Sequence, residues 1–530
     1  MSDDDLPIGW SEVRLGDIAE IRSGVGFPPA LQGRRNGAYA FAKVGDLSAA
    51  IRSGRDVLSG AANYVDEQDL KPLRAKPMPS GTILFPKIGE SIRLNYRVEA
   101  SSPLVVDNNV MGVVPDTAVV LPRFLLHRLR TVDLYPLAVS TTVPSLRKSD
   151  LAELSIELPP LGEQRRIVAR VEDLLARSRR AKEALDAIPP LLETLRRSIL
   201  AAAFRGELTA EWRAKHPDVE PADRLLARIR VERRRKWEEA ELTRLRAKGA
   251  APTDDRWKEK YREPEPMNAQ ALPELPEGWA WSSIDELSAG DSSVCYGVVQ
   301  PGEDDVSGGV PLVRVCDLPD DGFRVERSDL RTISADIGAE YNRSRLAGGE
   351  VLVSVVGSIG RVAIADSGLA GANIARAVAR VVLTPKVPSE WLAFALKSST
   401  LQRRLLLESR EVARKTLNVG QLAGMPVPVA SAEEMRVVCS VLSQRHATVA
   451  ALSRDAEVSR AQIPRLESSV LARAFRGELV PQDPPDHPTE AMLPPTPAEC
   501  NEACALELKT KSARVRTRRP RARIGLQHRE

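Results

Sequence analysis

The histidines and cysteines are the residues of this chain best suited to metal binding or nucleophilic catalysis, and their spacing fits neither role. A zinc site needs such ligands in close pairs. The histidines are isolated from one another and from the cysteines: His127, His216, His446, His487 and His528. The cysteines are confined to the second half: Cys295, Cys316, Cys439, Cys500 and Cys504. We therefore predict no metal site, and we expect the cysteines to be reduced, free thiols.

The chain also lacks the motifs with which enzymes hold phosphates or activate a serine. It has no G-x-x-x-x-G-K-[ST], no H-E-x-x-H, no G-x-S-x-G and no G-x-G-x-x-G that opens a helix after a strand. The GVG at residues 24–26 lacks a third glycine, and we predict a turn there. The DPPD at residues 483–486 ends in Asp, where an amino-methyltransferase has an aromatic residue. We predict no catalytic residue in this chain and favour a scaffold or recognition protein over an enzyme.

Length and composition indicate several folded domains. The chain has 530 residues, of which 43% are hydrophobic and 28% charged, a balance typical of globular proteins. The formal net charge of +4 is too small to diagnose nucleic-acid binding. No apolar run approaches the ~18 residues of a membrane span, and the acidic start does not match a secretory signal. We expect a cytoplasmic protein.

The most informative feature is an internal repeat with an offset of about 270 residues, far longer than the roughly 20 to 50 residues of solenoid repeats. PIGW at residue 7 matches PEGW at 276, and FAKVGDL at 41 matches LVRVCDL at 312. GTILFPKIGESIR at 81 matches GEVLVSVVGSIGR at 349, and AAAFRGELT at 201 matches LARAFRGELV at 471. The chain therefore looks like two copies of one unit.

Each copy has two parts. Its first part alternates short β-branched runs with Gly, Pro, Asn and Asp, which predicts a mixed α/β globule. Its second part carries apolar or small residues at alternating spacings of four and three, the seam of a coiled coil. The first seam is Ile167, Val171, Leu174, Ser178, Ala181, Leu185 and Ile188. The second, interrupted by an arginine, is Val438, Leu442, Arg445, Val449, Leu452 and Ala456. We predict that the two helical parts pack against each other, and two unrelated surface helices are the alternative.

Three further segments complete the pattern. Pro189, Pro190 and Pro464 should break or kink the long helices, because proline lacks the N–H that bonds to the preceding turn. An extra charged helix and linker lie between the copies, and its basic run is more typical of a solvated face than of a phosphate contact. The last 50 residues are rich in proline and then basic, and we predict that they are disordered.

Taken in order, these motifs resemble the specificity subunits of type I restriction-modification systems. The resemblance rests on the LP-x-GW, V-x-DL, KIGESI and VVGSIGR, PLGEQRRIV, AFRGELTAEWR and KYREPEP segments and covers about residues 7–480. The second copy departs from it, with ASAEEMRVV where the first has PLGEQRRIV. The boundaries we predict are 1–158 and 276–428 for two target recognition domains, 159–208 and 429–480 for two coiled-coil helical regions, 209–275 for the inter-repeat segment and 481–530 for the tail.

The resemblance implies a non-catalytic subunit that recognises double-stranded DNA in host defence. Each target recognition domain would read one half of a bipartite site, while the helices separate the halves and dock two methyltransferase subunits. Adenine methylation would use S-adenosylmethionine on those partners. Cleavage would use ATP and Mg on the restriction subunits, and we expect no cofactor in this chain itself.

Candidate DNA contacts are loops that combine Gly, Ser or Thr with basic residues, because such groups reach phosphates and base edges. In the first globule they are Lys43, Lys87, Arg93, Asn95 and Arg97, with Arg147 and Lys148 after Ser140 to Thr142. In the second they are Arg314, Ser358, Arg361, Arg414, Lys415 and Asn418. An ordinary surface charge is the alternative for each of them, and Gly89 and Gly357 are predicted turns.

The helical part is long enough to separate two half-sites. Residues 163–188 would span roughly 39 Å at ~1.5 Å per residue, and major-groove faces on one side of B-DNA recur every ~34 to 36 Å. If the two helices lie antiparallel, the globules would be related by an approximate two-fold axis, and their different sequences would read different half-sites. A coiled-coil adaptor without DNA affinity and an enzyme with an unrecognised site are the alternatives.

Overall fold

The computed structural model describes residues 6–481 apart from Ile8, 140–142, 250, 251, 253, 271, 291–293, 304–305 and 412–414. The chain divides into two compact units, residues 1–184 with 459–530 and residues 185–458. We call them unit 1 and unit 2. Most of the predicted tail, with its DPPD motif, His487, His528, Cys500 and Cys504, lies outside the described residues.

The first globule is a mixed α/β domain. Its strands are β1 (Ser11–Arg14), β2 (Ala19–Ser23), β3 (Tyr39–Ala42), β4 (Val57–Leu58), β5 (Asn63–Val65), β6 (Ile83–Pro86), β7 (Val98–Ala100), β8 (Leu104–Val106), β9 (Val110–Pro115) and β10 (Ser155–Leu158). Its helices are α1 (Leu15–Ile18), α2 (Val44–Arg52), α3 (Glu67–Leu73), α4 (Pro122–Arg130) and α5 (Lys148–Ala152). The sheets have the strand orders β2-β9-β6-β7-β4, β5-β3-β8 and β1-β10.

Long helices follow the first globule: α6 (Leu161–Asp186) and α7 (Ile188–Phe204). The predicted break occurs between them, where Pro189 and Pro190 open α7 at positions that need no N–H donor. The inter-repeat segment contains α8 (Ala210–Lys215) and α9 (Ala222–Ala247). The start of α9 is buried in unit 2 through Leu225 and Ile229.

The second globule repeats the first. Its strands are β11 (Ala280–Ser283), β12 (Cys295–Tyr296), β13 (Val310–Val313), β14 (Arg331–Ile333), β15 (Val351–Ser354), β16 (Val362–Ile364), β17 (Asn373–Ile374), β18 (Val378–Val381), β19 (Arg410–Glu411), β20 (Lys415–Thr416) and β21 (Pro426–Val429). Its helices are α10 (Ile284–Leu287), α11 (Ala335–Glu340), α12 (Ser389–Lys397), α13 (Ser399–Glu408) and α14 (Val419–Ala423), and α15 (Ala432–Ala474) follows. The sheets have the orders β12-β18-β15-β16, β14-β13-β17, β11-β21 and β19-β20.

Helix α15 continues through Pro464, so the break predicted there is absent. A single proline removes one backbone hydrogen bond, whereas two adjacent prolines mark the break in the first copy. Ile463 and Ala474 are both buried, and this packing holds the helix on either side of the proline.

Strand alternation explains why the two central strands are uninterrupted apolar runs. In β6, Ile83 and Phe85 face one hydrophobic cluster and Leu84 faces another. In β15, Val351 and Val353 face one cluster and Leu352 faces another. Successive side chains of a strand point to opposite faces, so a strand buried on both faces must be apolar throughout.

The GVG segment is not the turn that we predicted. Val25 forms a parallel bridge with Asp107, and its N–H donates to the carbonyl of Val106 (3.0 Å). A Cβ atom on Gly24 would lie 1.9 Å from the carbonyl oxygen of Asp107, and one on Gly297 would lie 1.7 Å from that of Ile374. Glycine is therefore needed at both positions for close approach of two backbones, rather than for a turn.

This close approach gives a first prediction. We expect Gly24→Ala to destabilise unit 1 by about 1 to 3 kcal/mol, because a methyl group would push two paired segments apart. Gly26→Ala is the matched control, since a Cβ there meets nothing within 4 Å. Hydrogen exchange of peptides covering β8 and β9 measures the effect, and equal exchange in the two variants would refute the close-approach explanation.

Within each unit, segments of the two long helical parts run antiparallel. In unit 1, Arg166 Nη2 donates to the carbonyl of Pro481 (3.3 Å), and further along α6 Ser178 Oγ donates to Glu467 Oε1 (2.7 Å). In unit 2, Thr209 Oγ1, just after α7, donates to Glu434 Oε1 in the first turn of α15 (2.6 Å). Earlier in α7 and later in α15, Arg196 (2.6 Å) and His446 (3.3 Å) contact the same carboxylate, that of Asp321.

The seam residues are buried only in part. Those that pack inside are Ile167, Val171, Ser178, Val438, Leu442, Val449 and Ala456. Arg445, Ala181 and Leu452 are exposed. The predicted coiled-coil contact is therefore present along only part of each seam.

The AFRGEL motif ends a helix against a globule in both copies. Phe475 contacts the ring of Phe124 in α4 (5.4 Å between centroids), and Phe204 contacts Trp391 in α12 (5.1 Å). Gly206 and Gly477 both adopt a φ of +72°, which ends the helix in a left-handed conformation. The helical part that follows each globule in sequence therefore ends on the other globule.

Candidate nucleic-acid interface

Two loops of the first globule that lie far apart in sequence are held together by backbone contacts. The Gly89 N–H donates to the carbonyl of Pro144 (2.8 Å), and the Leu146 N–H donates to that of Lys87 (3.0 Å). Between them, Ile88 and Ser145 form a β-bridge. We call residues 87–89 and 144–148 the first paired-loop site.

The second globule contains the same arrangement. The Gly357 N–H donates to the carbonyl of Lys415 (3.0 Å), the Leu417 N–H donates to that of Val355 (2.9 Å), and Val356 bridges Thr416. We call residues 355–358 and 415–418 the second paired-loop site. Each contact has its counterpart in the first globule, so the two sites are equivalent by backbone geometry although their side chains differ.

Glycine sets the turn in each paired-loop site. Gly89 has a φ of +81° and Gly357 a φ of +78°, both in the region that strains other residues. A Cβ at either position would meet nothing within 4 Å, so backbone conformation rather than space requires glycine. Both predicted turns are confirmed.

Five predicted contacts are exposed at these sites. They are Arg147, Lys148, Ser358, Lys415 and Asn418. Lys87 is half-buried in the first site. Asn418 also caps α14, because its Oδ1 accepts from the Gln421 N–H (2.8 Å). Arg414 and the Ser140–Thr142 segment lie outside the described residues.

Lys43 and Arg314 occupy equivalent helix N-caps in the two globules. The Lys43 N–H donates to Asp46 Oδ2 (2.8 Å), and the Arg314 N–H donates to Asp317 Oδ2 (2.7 Å). In each copy, the aspartate of the V-x-DL motif thus accepts a hydrogen bond from the backbone N–H of the residue before the helix, as in a capping box. Lys43 also lies over the ring of Phe27 (3.9 Å).

The remaining predicted contacts are engaged inside their own domains. Arg97 is 1% exposed and donates to Asn95 Oδ1 (2.7 Å), and burial lowers its pKa to about 9. Asn95 Nδ2 donates to the carbonyl of Arg130 (3.0 Å). Arg93 pairs with Glu90 (2.7 Å), and Arg361 pairs with Asp320 (2.7 Å). Because each of these four residues already has a partner within its own globule, we leave them out of the interface proposed below.

Sequence reasoning missed a third loop at each site. The Lys87 N–H donates to the carbonyl of Asn109 (2.8 Å), and the Val355 N–H donates to that of Ala377 (2.9 Å). These carbonyls belong to the turns before β9 and β18, whose exposed middle residues are Asn108 and Arg376. Matching DNN at residue 107 with ARA at 375 through the repeat would have found them.

Each globule is fixed to a helix by the tryptophan of the LP-x-GW motif. Trp10 Nε1 donates to Glu163 Oε1 (3.1 Å), and Trp279 Nε1 donates to Glu434 Oε2 (2.9 Å). Glu163 belongs to PLGEQRRIV and Glu434 to ASAEEMRVV. The unusual helix start of the second copy therefore keeps the carboxylate that this contact requires.

Among the residues that the structure describes, no group of three or more His, Cys, Asp or Glu could hold a metal ion. In the same part of the chain, no helix has the length and apolar character needed to cross a membrane.

Known proteins that are similar to this chain include several specificity subunits of type I restriction enzymes. Residues 7–188 match the family model described as type I restriction modification DNA specificity domain. The chain is 28% identical to the type I restriction enzyme EcoBI specificity subunit of Escherichia coli, over 96% of this chain and 92% of that one. It is 24% identical to the EcoDI specificity subunit of the same organism, over 71% and 72% of the two chains.

Solved structures share the fold. A chain from a study of complex assembly and conformational transition of the type I restriction-modification system matches with a TM-score of 0.60 and 20% identity, over 89% of this chain and 99% of that one. The HsdS subunit from Thermoanaerobacter tengcongensis matches with a TM-score of 0.55 and 20% identity, over 89% and 98%. Residues 7–188 therefore match the specificity domain of type I restriction-modification systems, and along most of its length the chain is similar to specificity subunits of these systems.

Proposed function

We propose that this chain is the DNA-recognition subunit of a type I restriction-modification complex and that each globule reads one half of a bipartite site through its paired-loop site. The observation that carries the proposal is the equivalence of the two sites. The same backbone contacts hold loops at corresponding positions in both globules.

The side chains on this common backbone support an asymmetric site. Arg147 and Lys148 of the first globule correspond in position to Asn418 and Val419 of the second. Arginine favours guanine and asparagine favours adenine at major-groove edges, and lysine contacts phosphates or guanine, whereas valine has no polar group for either. The globules would therefore prefer different half-sites.

The partners follow from the family. We propose that the helical parts dock two methyltransferase subunits, and that restriction subunits join through them. In this arrangement S-adenosylmethionine, ATP and Mg would bind the partner subunits, and this chain would be non-catalytic. The spacer between half-sites would follow the length of α6, which has 26 residues.

The test of this proposal begins by identifying the site. Sequencing modified adenines in the host genome, with and without the chain, should reveal an asymmetric methylated motif that the chain's loss abolishes. Full-length variants can then be assayed in the complex on that motif and on single-base mismatches of it.

We expect Arg147→Ala to cost about 1 to 3 kcal/mol at one position of the site and to relax discrimination there. Lys148→Ala should weaken all sequences alike and should lower the slope of log affinity against log salt by about 1. Lys71→Ala is the matched control, because this lysine is also exposed and lies in α3, outside the first paired-loop site. If both site variants bind every sequence as the wild type does, the first paired-loop site is not the interface.

A further inference from the structure

Unit 2 contains a cavity of about 630 Å³ that belongs to neither paired-loop site. It lies where α7, α12, α13 and α15 meet the loop that ends at Phe323. The apolar lining residues with accessible surface include Ile199, Leu200, Phe323 and Leu406. The volume falls within the roughly 300 to 1,000 Å³ of typical small-molecule sites.

The charged side chains that line this cavity are unequal in number. Six are Lys or Arg and three are Asp or Glu: Arg196, Arg197, Arg361, Lys397, Arg403 and Arg445 against Glu193, Asp320 and Asp321. Because cationic side chains outnumber carboxylates, an anion is the favoured ligand.

Each of the carboxylates already has a cation. Arg197 Nε lies 2.9 Å from Glu193 Oε1, and Arg361 Nη2 lies 2.7 Å from Asp320 Oδ1. Arg196 Nη2 lies 2.6 Å from Asp321 Oδ2. The internal pairs therefore use three of the arginines and leave the others for a ligand.

Two of the remaining cations stay unpaired. The third, Lys397, donates from its Nζ to the carbonyl of Gly322 (2.7 Å), so its ammonium group is bound to the loop that ends at Phe323. Arg403 and Arg445 are exposed and form no ion pair or side-chain hydrogen bond with the residues that the structure describes. Guanidinium groups bind phosphate oxygens in a bidentate fashion, and two of them beside one apolar wall suit a phosphate ester.

The cavity also explains the arginine that interrupts the second seam. Arg445 stands at a position where an apolar residue would pack, between the buried Leu442 and Val449. In the structure it lines the cavity with these two residues. The interruption thus places a cation at the rim of an apolar space.

We propose that this cavity binds a small organic phosphate whose other end is apolar, with Arg403 and Arg445 holding the phosphate and the accessible wall of Ile199, Leu200, Phe323 and Leu406 covering the apolar end. Both ends contribute, because the charges and the apolar wall face the same space.

Isothermal titration calorimetry of the full-length chain tests the proposal, with 1-naphthyl phosphate as the probe and inorganic phosphate and 1-naphthol as its two halves. We expect 1-naphthyl phosphate to bind with a stoichiometry of one and at least about tenfold more tightly than either half, as two contributions of about 1.4 kcal/mol or more would give. No binding of the probe at millimolar concentration would overturn the proposal. Equal binding of inorganic phosphate would also overturn it, because it would indicate a surface anion site.

Variants then locate the binding. Arg403→Ala combined with Arg445→Ala should weaken binding of the probe at least tenfold while leaving its 1-naphthol half unaffected. Arg454→Ala is the matched control, since this exposed arginine lies on the same helix but does not line the cavity. Unchanged binding in the double variant, or an equal loss in the control, would show that the probe binds elsewhere. All three positions are exposed, so the substitutions should leave the fold intact.

Discussion

Glu434→Ala should lower the free energy of unfolding of unit 2 by about 3 to 5 kcal/mol, the cost of removing one member of a buried charged pair. Glu434 is 2% exposed, and its carboxylate is shared by three donors from separate segments. Thr209 Oγ1 (2.6 Å), Trp279 Nε1 (2.9 Å) and the guanidinium of Arg213 all donate to it. Alanine would leave each donor without its acceptor.

The neighbouring Glu433 provides a matched control. It has the same side chain and lies one position earlier in the first turn of α15, but it is exposed. We expect Glu433→Ala to change stability by no more than about 0.5 kcal/mol. Hydrogen exchange of peptides from β15 and α12, with peptides from β6 and β9 as an internal reference, separates the two units. Equal protection in both variants would mean that the Trp279 contact does not hold the second globule on its helix.

Arg123→Ala should destabilise unit 1 by a similar amount, about 3 to 5 kcal/mol. Arg123 lies in α4, and its side chain is 27% exposed. Its guanidinium reaches Glu172 in α6 (2.5 Å), Asp56 before β4 (2.9 Å) and Glu99 in β7 (3.3 Å). Without it, three carboxylates would repel one another at the junction of the globule with α6.

The control for this prediction is Arg170→Ala. Arg170 lies on α6, near Glu172, but its side chain is 49% exposed and its pair with Asp173 is long (3.4 Å). Exposed pairs contribute about 0 to 1 kcal/mol, so this variant should be close to wild type. Exchange in peptides from β6 and β9 should rise in Arg123→Ala and stay unchanged in the control. Unchanged exchange in Arg123→Ala, or an equal rise in Arg170→Ala, would show that the Arg123 network does not hold the first globule on α6.

The same network predicts that the free energy of unfolding of unit 1 decreases at acidic pH. Burial opposes ionisation of Asp56, but the charges of Arg123 and Arg130 outweigh it and hold the pKa of this carboxyl below its usual 3.8. Burial likewise opposes ionisation of Glu172, and the contacts with His127 and Arg123 hold its pKa below 4.5. Both groups therefore stabilise the folded state above those values, and this contribution is lost as pH falls through their folded pKa values. The pKa of Glu99 is raised by burial, so this carboxyl contributes in the opposite sense.

The sequence alone determined the features that repeat. Motif pairs such as PIGW with PEGW predicted two equivalent globules, and β-branched runs and heptad spacing predicted sheets and helices within each copy. These signals are local or periodic, and the physics of strand alternation and helical spacing makes them readable without coordinates. Gly89 and Gly357 were readable for the same reason, because a turn is decided by a few adjacent residues.

Tertiary structure alone decided which polar residues face outward together. Lys87 and Arg147 are 60 positions apart in sequence, and only the bridge between Ile88 and Ser145 brings their loops to one site. Arg97 looks like a surface cation in sequence, yet it is buried against Asn95, since long-range packing and not residue type fixes exposure. The close approach at Gly24 and the roles of Glu434 and Arg123 depend likewise on partners far along the chain. Such contacts produce no periodic pattern in the sequence, because the geometry of the folded core determines which distant residues meet.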